Sequence, residues 1–574
     1  MKNDKYLPPE PTALGFASAP TEIPQSYPPP SYSQHENPPQ GYPPQVYSPQ
    51  GYPPQVYPPQ GYPPQGYSSH GYSQQGFPPQ VHPQQVYPQH SYPPPQNYAP
   101  PPSQHFEPPP TQSPPQQNII FVRPSSWYKR TAMNRPQSNV LTPASIIFLT
   151  GGMNIAWSIG FRHQIYYNVS THVSIAWFIG AIIGAAISAF LPKAIPRKVI
   201  TLFCSMLVLI GGIVNCSTHY NLDALEANLY LNGIANGLVF APTLALAGEL
   251  AVFYMRGKIS TSIEQLSFNL GIFVQVMLSS GYSSSSYHSA GYNPERVSGI
   301  IAAVLGFMGL VIGAFLFVES PVDLVASGRE QAATDALRRL QRHRAPSDQT
   351  LAQLEEHKRY VADNERLSKE KSFRCATPAF IKLCLLRGLN AVCISSFFFE
   401  MIYRANSVYL WGQEHFILFG ACRLLGSVLA SIFVDFLGRK IPLLVGLAGS
   451  TSFAFAAGSE VVFGYRNTET WLYTFQFFAG LTFTISSAYL SEAYPLKVKQ
   501  SFISFTYIIE MVVFIIIGTS DLIDEFLYII GGLLAAAFFL SIVWMPETRR
   551  TTLRGAQQKF RGFITCCNNF NESS

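Results

Sequence analysis

The sequence has few charged residues and lacks the patterns that carry catalytic or metal chemistry. Only 12% of its 574 residues are charged, and its eight cysteines are scattered without metal-ligand spacing. It has no phosphate-binding loop of the Walker type and no nucleophile–base arrangement, which argues against ATP-driven transport and against an enzyme. No basic stripe interleaves with stacking aromatics, so the net charge of +6 does not indicate nucleic-acid binding. We predict no metal and no cofactor.

Residues 1–137 also lack the aliphatic side chains that a core requires. PPQGYPPQVY (Pro38–Tyr47) recurs with a period near ten residues. Proline removes backbone donors and favours polyproline II, so we predict a disordered cytoplasmic tail without a cleavable signal. Pro29–Tyr32 matches the PPxY ligands of WW domains, which makes a WW-domain protein a candidate partner. A chance match and self-association through the repeated tyrosines are the alternatives.

The rest of the chain is strongly apolar. We count twelve spans of roughly twenty residues, the length that a bilayer core of about 30 Å requires. They cover approximately 138–161, 171–192, 198–217, 225–247, 258–279, 297–318, 377–402, 408–434, 441–463, 469–491, 500–520 and 523–545. Polar residues interrupt 225–247 and 258–279. A soluble protein with buried helices is the alternative, but twelve consecutive spans with short links favour a membrane bundle.

Lys and Arg collect on one side of these spans. They precede the first span, follow the last and fill alternate loops, whereas STHYNLDALEA and DLIDE contain none. The positive-inside rule therefore predicts that both termini lie in the cytoplasm. We expect a multi-pass protein of the plasma membrane. The insert at 319–376 has helical spacing and predicts amphipathic helices at the cytoplasmic mouth, with a solvated linker as the alternative. We expect six-helix bundles at 138–318 and 377–546, followed by a cytoplasmic tail at 547–574.

A glutamate followed seven positions later by a basic residue occurs once in each bundle. The two copies are Glu249 with Arg256 and Glu492 with Lys499. Charges at membrane edges are costly unless they are paired or wetted. The repeat therefore suggests a duplicated bundle, which is the architecture of secondary transporters.

Four segments resemble motifs of the major facilitator superfamily and its sugar-porter branch. VDFLGRK (Val434–Lys440) resembles the D-x-x-G-R-[KR] turn, and VESPVDLVASGREQAA (from Val318) resembles the segment after the sixth helix. RGLNAVCISSFFFE (Arg387–Glu400) and MPETRRTTL (Met545–Leu553) resemble motifs of helix seven and of the end of helix twelve. The resemblance covers about 138–555. It implies a divergent member with an all-α membrane fold, with twelve transmembrane helices in two six-helix halves.

The resemblance also implies a cytoplasmic charge network that holds the halves together in the outward-facing state and breaks on inward opening. Its members here would be Glu249, Arg256, Glu319, Arg329, Asp435, Gly438, Arg439, Glu492, Lys499 and Glu547. Static surface pairs without a gating role are the alternative. The first-half copy of the turn reads KAIPRK, with Lys193 in place of aspartate and Pro196 in place of glycine. We therefore expect the first-half gate to be weaker or built differently.

The candidate substrate site departs from the family pattern. Amide side chains offer sugars both donors and acceptors. By resemblance and position, the candidates are Glu264, Gln265, Gly388, Asn390, Ser487 and Glu510. Either Glu264 or Gln265 corresponds to a glutamine of the family, depending on the residue from which the position is counted. Ser487 stands where the family has tryptophan. The helix-seven glutamines are replaced by Cys384 and Leu385. These departures predict a cavity less complementary to an ordinary hexose.

Glu264, Glu400 and Glu510 are acids inside predicted spans. A charge at the bilayer centre costs roughly 2.5–3.5 kcal/mol on insertion scales, so each should face a cavity or a partner. We favour a cavity role for Glu510, binding a polar or cationic solute or a proton, and a structural role for Glu400. No acid occurs in the first span, where proton-coupled sugar porters often carry an aspartate, and this favours facilitated diffusion.

The sequence thus predicts a membrane transporter that moves a small polar solute, first of all a sugar or polyol, by alternating access. A nutrient sensor or scaffold that keeps the fold without transport is one alternative. A transporter of organic cations on the same fold is another.

Overall fold

The computed structural model describes residues 135–162, 169–191, 195–218, 221–281, 294–341, 348–409, 414–462 and 467–562. The regular elements in these ranges are eighteen helices. The tail prediction falls outside the described residues except for 135–137, as does the WW-domain motif at Pro29–Tyr32. Residues 563–574 of the predicted C-terminal tail also lie outside them.

The first half, α1–α7, supplies six membrane spans. Its helices are α1 Arg135–Ile159, α2 Thr171–Phe190, α3 Arg197–Ser217, α4 Leu222–Leu250, α5 Arg256–Ile263, α6 Gln265–Gly281 and α7 Pro294–Leu316. Helices α5 and α6 form one span that is interrupted at Glu264, where φ is −101° and ψ is −79°. This span is the predicted 258–279, and the interruption turns the Glu264 side chain into the protein interior.

The second half, α11–α17, supplies the other six spans. Its helices are α11 Lys369–Cys393, α12 Ser396–Tyr409, α13 Glu414–Phe433, α14 Lys440–Val462, α15 Thr468–Ala493, α16 Lys499–Thr519 and α17 Phe526–Trp544. Among the described residues, ten helical stretches are long and apolar enough to cross a membrane, with α11 and α12 counted together. The remaining two spans are the interrupted α5–α6 and α15, which carries many buried hydroxyl groups. The predicted twelve-helix fold is confirmed.

Four short or polar helices lie on one face of the bundle. They are α8 Pro321–Ala326, α9 Glu330–Arg339, α10 Asp348–Arg366 and α18 Leu553–Phe560. Helix α10 is tied to this face by Leu496 N, which donates to Asn364 Oδ1 at 3.0 Å, and to α18 by Gln557 Nε2, which lies 2.9 Å from the Tyr360 hydroxyl. Because α1 begins and α17 ends here, we call it the terminal face. The amphipathic helices predicted for 319–376 lie against it.

Side chains at several helix starts fix the bounds of these elements. Ser170, Asn221, Ser320, Ser368 and Thr552 each accept a hydrogen bond from a backbone N–H of the first turn. Such caps satisfy donors that a helix start leaves without partners. The cap at Ser368 starts α11 at Lys369, earlier than the predicted bound of 377.

The two halves repeat the same packing. In the first half α1 packs against α6, α2 against α4, and α3 against α7; in the second half α11 packs against α16, α13 against α15, and α14 against α17. Between the halves, α2 packs against α16 and α6 against α13. Each second-half contact is the counterpart of a first-half contact six spans earlier. The duplication suggested by the two glutamate motifs is therefore visible in the helix arrangement.

Polarity is distributed as a membrane environment requires. Large apolar side chains such as Phe190, Phe315 and Phe539 are exposed on the perimeter, whereas Arg387 and Arg423 are buried between the halves. Charged side chains at membrane depth are tolerated where they face the bundle interior and find partners there. The buried charges therefore locate the part of the molecule where function is to be sought.

Candidate functional site

A small polar cavity lies between the two halves. Its volume is about 20 Å³, which is room for about one water molecule. Its polar lining consists of Glu264, Gln265, Asn269, Arg387, Asn390, Arg423, Tyr507 and Glu510. Four predicted substrate-site residues, Glu264, Gln265, Asn390 and Glu510, are thus brought together from helices that are distant in sequence. The cavity is closed to anything as large as a hexose in this conformation.

Arg387 occupies the centre of the cavity wall. Its Nη2 donates to Glu264 Oε1 at 2.8 Å, and its Nε lies 2.9 Å from Glu510 Oε2. The guanidinium also stacks over the ring of Phe240 at 5.3 Å. Because Glu264 belongs to the first half and Arg387 to the second, this buried ion pair joins the halves in the middle of the membrane.

Glu264 is held by both halves. Gln265 Nε2 donates to Glu264 Oε1 at 2.9 Å, and the Ser487 hydroxyl donates to Glu264 Oε2. Ser487 therefore reaches the site through Glu264. The sequence left Glu264 and Gln265 as alternatives for one position, and the structure places both beside the cavity, with Glu264 paired to Arg387.

Arg423, on α13, is the second buried cation of the cavity. It donates to Asn269 Oδ1 at 2.9 Å, Gln476 Oε1 at 2.9 Å and Asn390 Oδ1 at 2.7 Å. Among the described residues, its hydrogen-bond acceptors in other helices are neutral amide oxygens. Arg387 and Arg423 thus differ sharply: the first touches two carboxylates and the second touches amides.

Gly388, like Ser487, does not line the cavity. A Cβ added there would meet only Val513 Cγ2, at 3.7 Å. Glu400, for which the sequence favoured a structural role, lies half-exposed and pairs with Arg404 at 2.9 Å.

Sequence reasoning missed Arg387 and Arg423 as site residues. The signal was present, since both are basic residues near the middle of the predicted spans 377–402 and 408–434. A basic residue inside a predicted span indicates a candidate site residue as strongly as an acid does.

Glu249 anchors the first charge cluster of the terminal face. Its Oε2 lies 2.8 Å from Arg197 Nη1 and accepts from the Ser320 hydroxyl at 2.6 Å. Its Oε1 lies 3.6 Å from Lys499 Nζ. Lys499 belongs to the second half, so this cluster crosses between the halves.

Glu492 anchors the equivalent cluster of the second half. It pairs with Arg439 Nη2 at 3.0 Å and lies 4.0 Å from Arg256 Nη1. Each glutamate of the sequence repeat therefore faces the basic residue of the other copy: Glu249 faces Lys499, and Glu492 faces Arg256. This reciprocal arrangement ties the halves together twice at the terminal face.

The turn before α14 completes the second cluster. Asp435 Oδ1 lies 3.1 Å from Arg439 Nη1, and Asp435 Oδ2 accepts from Lys258 N of the first half at 2.8 Å. Burial, opposed by Arg439, raises the pKa of Asp435 above its usual range. Gly438 has φ +102°, and Glu547 accepts from Arg439 N at 2.9 Å just beside it. An L side chain at Gly438 would be both strained and crowded.

The first half builds its turn differently. Arg197, the counterpart of Arg439, pairs with Asp323 Oδ2 of α8 at 2.8 Å. In the first half, helix α8 thus supplies the carboxylate that pairs with the arginine. In the second half, Asp435 in the turn between α13 and α14 supplies it. Lys193, which stands where the family motif has aspartate, lies outside the described residues.

The remaining two predicted gate residues lie at the edge of the terminal face. Glu319 and Arg329 border a cleft of about 420 Å³ that also contains Arg197 and Glu249. Arg329 Nε donates to Ser327 Oγ at 3.1 Å. Burial, opposed by Arg197, raises the pKa of Glu319. Among described residues, neither side chain makes an ion pair within 4.0 Å.

The opposite face has a larger opening than the cleft of the terminal face. A vestibule of about 730 Å³ lies between the ends of α1, α12 and α16. Arg162, Phe399, Glu400, Arg404 and Asp521 are among its lining residues. The protein therefore has a closed charge network on one face, a vestibule on the other, and a polar cavity between them.

Two duplicated six-helix halves around such a cavity define a secondary transporter of the major facilitator type. The family model described as "Sugar (and other) transporter" matches residues 130–560. The chain belongs to this family, in the sugar-porter branch of the major facilitator superfamily.

Curated relatives are similar at low identity. Hexose transporter 1 of Plasmodium knowlesi is 23% identical over 409 residues, which cover 65% of this chain and 79% of that protein. High-affinity glucose transporter 1 of Candida albicans is 27% identical over 353 residues, or 57% and 62% of the two chains. Hexose transporter HXT13 of Saccharomyces cerevisiae is 24% identical over 428 residues, or 68% and 74%.

Solved structures show the same fold. The proton:xylose symporter XylE bound to 6-bromo-6-deoxy-D-glucose superposes with a TM-score of 0.61 at 16% identity, over 74% of this chain and 99% of that one. The inward-open conformation of XylE from E. coli gives a TM-score of 0.52 at 17% identity, over 73% and 98%. At such identities the similarity concerns the fold alone.

Proposed function

We propose that this protein carries a small polar solute, first of all a sugar or polyol, across a membrane by alternating access. The asymmetry of its two faces carries the proposal. The terminal face is closed by reciprocal ion pairs between the halves, whereas the opposite face has a vestibule of about 730 Å³. A carrier needs a second state in which this asymmetry is reversed. The relatives described as hexose and glucose transporters support a sugar as the solute.

We assign the terminal face to the cytoplasm and the protein to the plasma membrane. The excess of Lys and Arg on that side supports the assignment, because cytoplasmic loops carry such an excess. With this orientation, the described conformation faces outward. The ion pairs of Glu249 and Glu492 would then form the cytoplasmic gate, and they must separate before the solute leaves inward.

The solute would bind where the small cavity now lies. Gln265 and Asn390 would offer amide groups to it, and Glu264, Glu510 and Ser487 would border it. Gly388 lies behind this wall, so its contribution would be indirect. The cavity has to widen, because about 20 Å³ does not hold a monosaccharide.

Facilitated diffusion is the mode we propose. The first span has no acid, and Glu264 and Glu510 both contact Arg387. A proton cycle would have to break these buried pairs, and each unpaired charge would be costly. The same contacts weigh against the organic-cation alternative, since the charge of Glu510 is already compensated by Arg387 and by Asn390 Nδ2 at 2.8 Å.

Counterflow in proteoliposomes tests the proposal. The full chain would be reconstituted, loaded with unlabelled solute and given trace labelled glucose, xylose or sorbitol, with a protonophore present to remove proton gradients. Saturable accumulation is expected, and the variant Asn390→Ala should reduce it because that residue faces the cavity. The exposed variant Arg374→Gln serves as control.

The alternatives predict different outcomes of the same experiment. Ligand-induced stabilisation without flux would indicate a sensor, and competition by organic cations would indicate a cation carrier. A WW-domain partner at Pro29–Tyr32 stays a prediction from the sequence.

A further inference from the structure

Arg423 is a buried charge that a carrier of neutral sugars does not require. It lies near the middle of α13, is 1% exposed and borders the central cavity. Its three nitrogen atoms contact the amide oxygens of Asn269, Gln476 and Asn390. A guanidinium has more N–H groups than these three contacts use. Arg423 therefore retains donor capacity on its two terminal nitrogens.

The amide groups around Arg423 are fixed in orientation. Each amide nitrogen donates elsewhere, so each carbonyl oxygen is directed at the guanidinium. The acceptors are Ser427 Oγ for Asn269 at 2.7 Å, Cys393 O for Gln476 at 2.8 Å and Glu510 Oε1 for Asn390 at 2.8 Å. Arg423 is thus held in place before any ligand arrives, which lowers the ordering cost of binding.

Most polar groups of the wall are already engaged with one another. Sugar hydroxyls need both acceptors and donors from the protein. The amide oxygens of Asn269, Gln476 and Asn390 already accept hydrogen bonds from Arg423. The carboxylates of Glu264 and Glu510 are engaged by Arg387. Among the described residues, Arg423 is thus the cation of this wall that no carboxylate contacts by a hydrogen bond or an ion pair.

The same arrangement suits an anionic group. Arginine binds carboxylates and phosphates through paired N–H groups, and such charge-assisted hydrogen bonds are stronger than neutral ones. A buried guanidinium surrounded by amides gains more from an incoming negative charge than one already paired, as Arg387 is with Glu264 and Glu510. Within the cavity Arg423 is thus the better anion site.

We infer that the solute of this transporter is a carbohydrate bearing an anionic group, which binds at Arg423 through its carboxylate or phosphate. This inference rests on the proposed function for its transport step and narrows the substrate class. The hydroxyl groups would face Gln265 and the first-half wall. The ligand enters only after the halves separate on the vestibule side, since the present space holds about one water molecule.

Binding to the purified full-length protein tests the inference. D-Glucuronate and D-glucose 6-phosphate would be titrated against D-glucose by calorimetry and thermal shift, with lactate and sulfate as anions that are not sugars. One of the two anionic sugars should bind about tenfold tighter than glucose or better, as expected for charge-assisted over neutral hydrogen bonds. The comparison of the two distinguishes a carboxylate from a phosphate.

Variants test the assignment to Arg423. Arg423→Gln should abolish the preference for the anionic sugar, and Arg423→Lys should keep part of it. Arg374→Gln, which removes an equally charged but exposed residue from α11, should bind like the wild type. If Arg423→Gln does not fold, the preference of the wild type for an anionic sugar over glucose still tests the inference.

The failures can be distinguished. Glucose binding as tightly as either anionic sugar, with saturable flux, would overturn this inference and leave the proposed function intact. Equal binding of sulfate, lactate and sugar acids would overturn the carbohydrate part. Absence of flux for every solute would instead refute the proposed transport function.

Discussion

Replacing Lys499 by methionine should open the terminal face. Lys499 Nζ lies 3.6 Å from Glu249 Oε1 across the boundary between the halves, and both side chains are almost fully buried. Methionine has a similar length but no charge, so it removes the attraction with little change in packing. Glu249 keeps Arg197 and Ser320 as partners, and both belong to the same half as Glu249. The variant therefore weakens the link between the halves more than the fold of either.

The size of the effect follows from the distance. Two charges 3.6 Å apart attract by roughly 4–5 kcal/mol at an effective dielectric constant of about 20. Desolvation of both groups offsets much of this attraction. A net contribution of about 1–3 kcal/mol to the closed state is expected, which changes the ratio of closed to open molecules by roughly 5–150-fold.

Distance measurements between the halves provide the assay. Spin labels at exposed Ile195 of the first half and Phe436 of the second would report the separation at the terminal face. Lys499→Met should move the distance distribution toward the longer population. A double-mutant cycle with Glu249→Gln then isolates the pair from the other contacts of Glu249. Arg359→Gln, which breaks an exposed pair within α10, is the matched control.

One result would refute the reasoning. If the effects of Lys499→Met and Glu249→Gln add within about 0.5 kcal/mol, the pair has no coupling energy. If the distance distribution is also the same as in the wild type, the ion pairs of the terminal face are static, and the gate must be sought elsewhere.

Three further predictions concern transport mode, a turn and the linker. Glu510→Gln should leave the pH profile of uptake unchanged under facilitated diffusion; a flattened profile would show that this carboxyl carries protons. Gly438→Ala should lower the melting temperature, because φ +102° costs an L residue about 1–2 kcal/mol and Glu547 crowds the Cβ, whereas Gly532→Ala, with nothing within 4 Å, should not. Burial lowers the pKa of His357 to about 4 from 6.5, so the folded state prefers the neutral ring. Stability should therefore be full above pH 6.5, fall by at most about 1.4 kcal/mol per unit towards pH 4, and lose this dependence in His357→Gln, as thermal melting at stepped pH would show.

Hydropathy predicted the fold because the bilayer imposes a length on every span. The predicted span 441–463 and the observed Lys440–Val462 agree closely, and so do 500–520 and Lys499–Thr519. The start of α11 was the poorest estimate, since Lys369–Thr377 is polar and helical without being a membrane span. Periodicity alone cannot distinguish a helix that projects from the membrane from a separate linker helix.

The sequence indicated residues that lie together in the structure, but not the contacts between them. The repeat of Glu249 and Glu492 pointed to both charge clusters of the terminal face, but not to the cation that each glutamate contacts. The structure pairs Glu249 with Lys499 and Glu492 with Arg256, so each pair joins one half to the other. Pairing across an interface depends on the packing of the halves, which no local pattern encodes.

Under the proposed function, the two arginines of the cavity would connect binding to gating. Arg387 contacts Glu264 of one half and Glu510 of the other, and Asn390 extends the chain from Glu510 to Arg423. A ligand can shift an equilibrium between two states only by binding them with different affinity. An anionic solute on the unused N–H groups of Arg423 would lie one amide, that of Asn390, away from Glu510. Its charge would therefore act on Arg387, whose ion pair with Glu264 crosses between the halves. Under the proposed function, occupancy of the cavity would change the strength of this attachment in the middle of the membrane, at a distance from the terminal-face clusters.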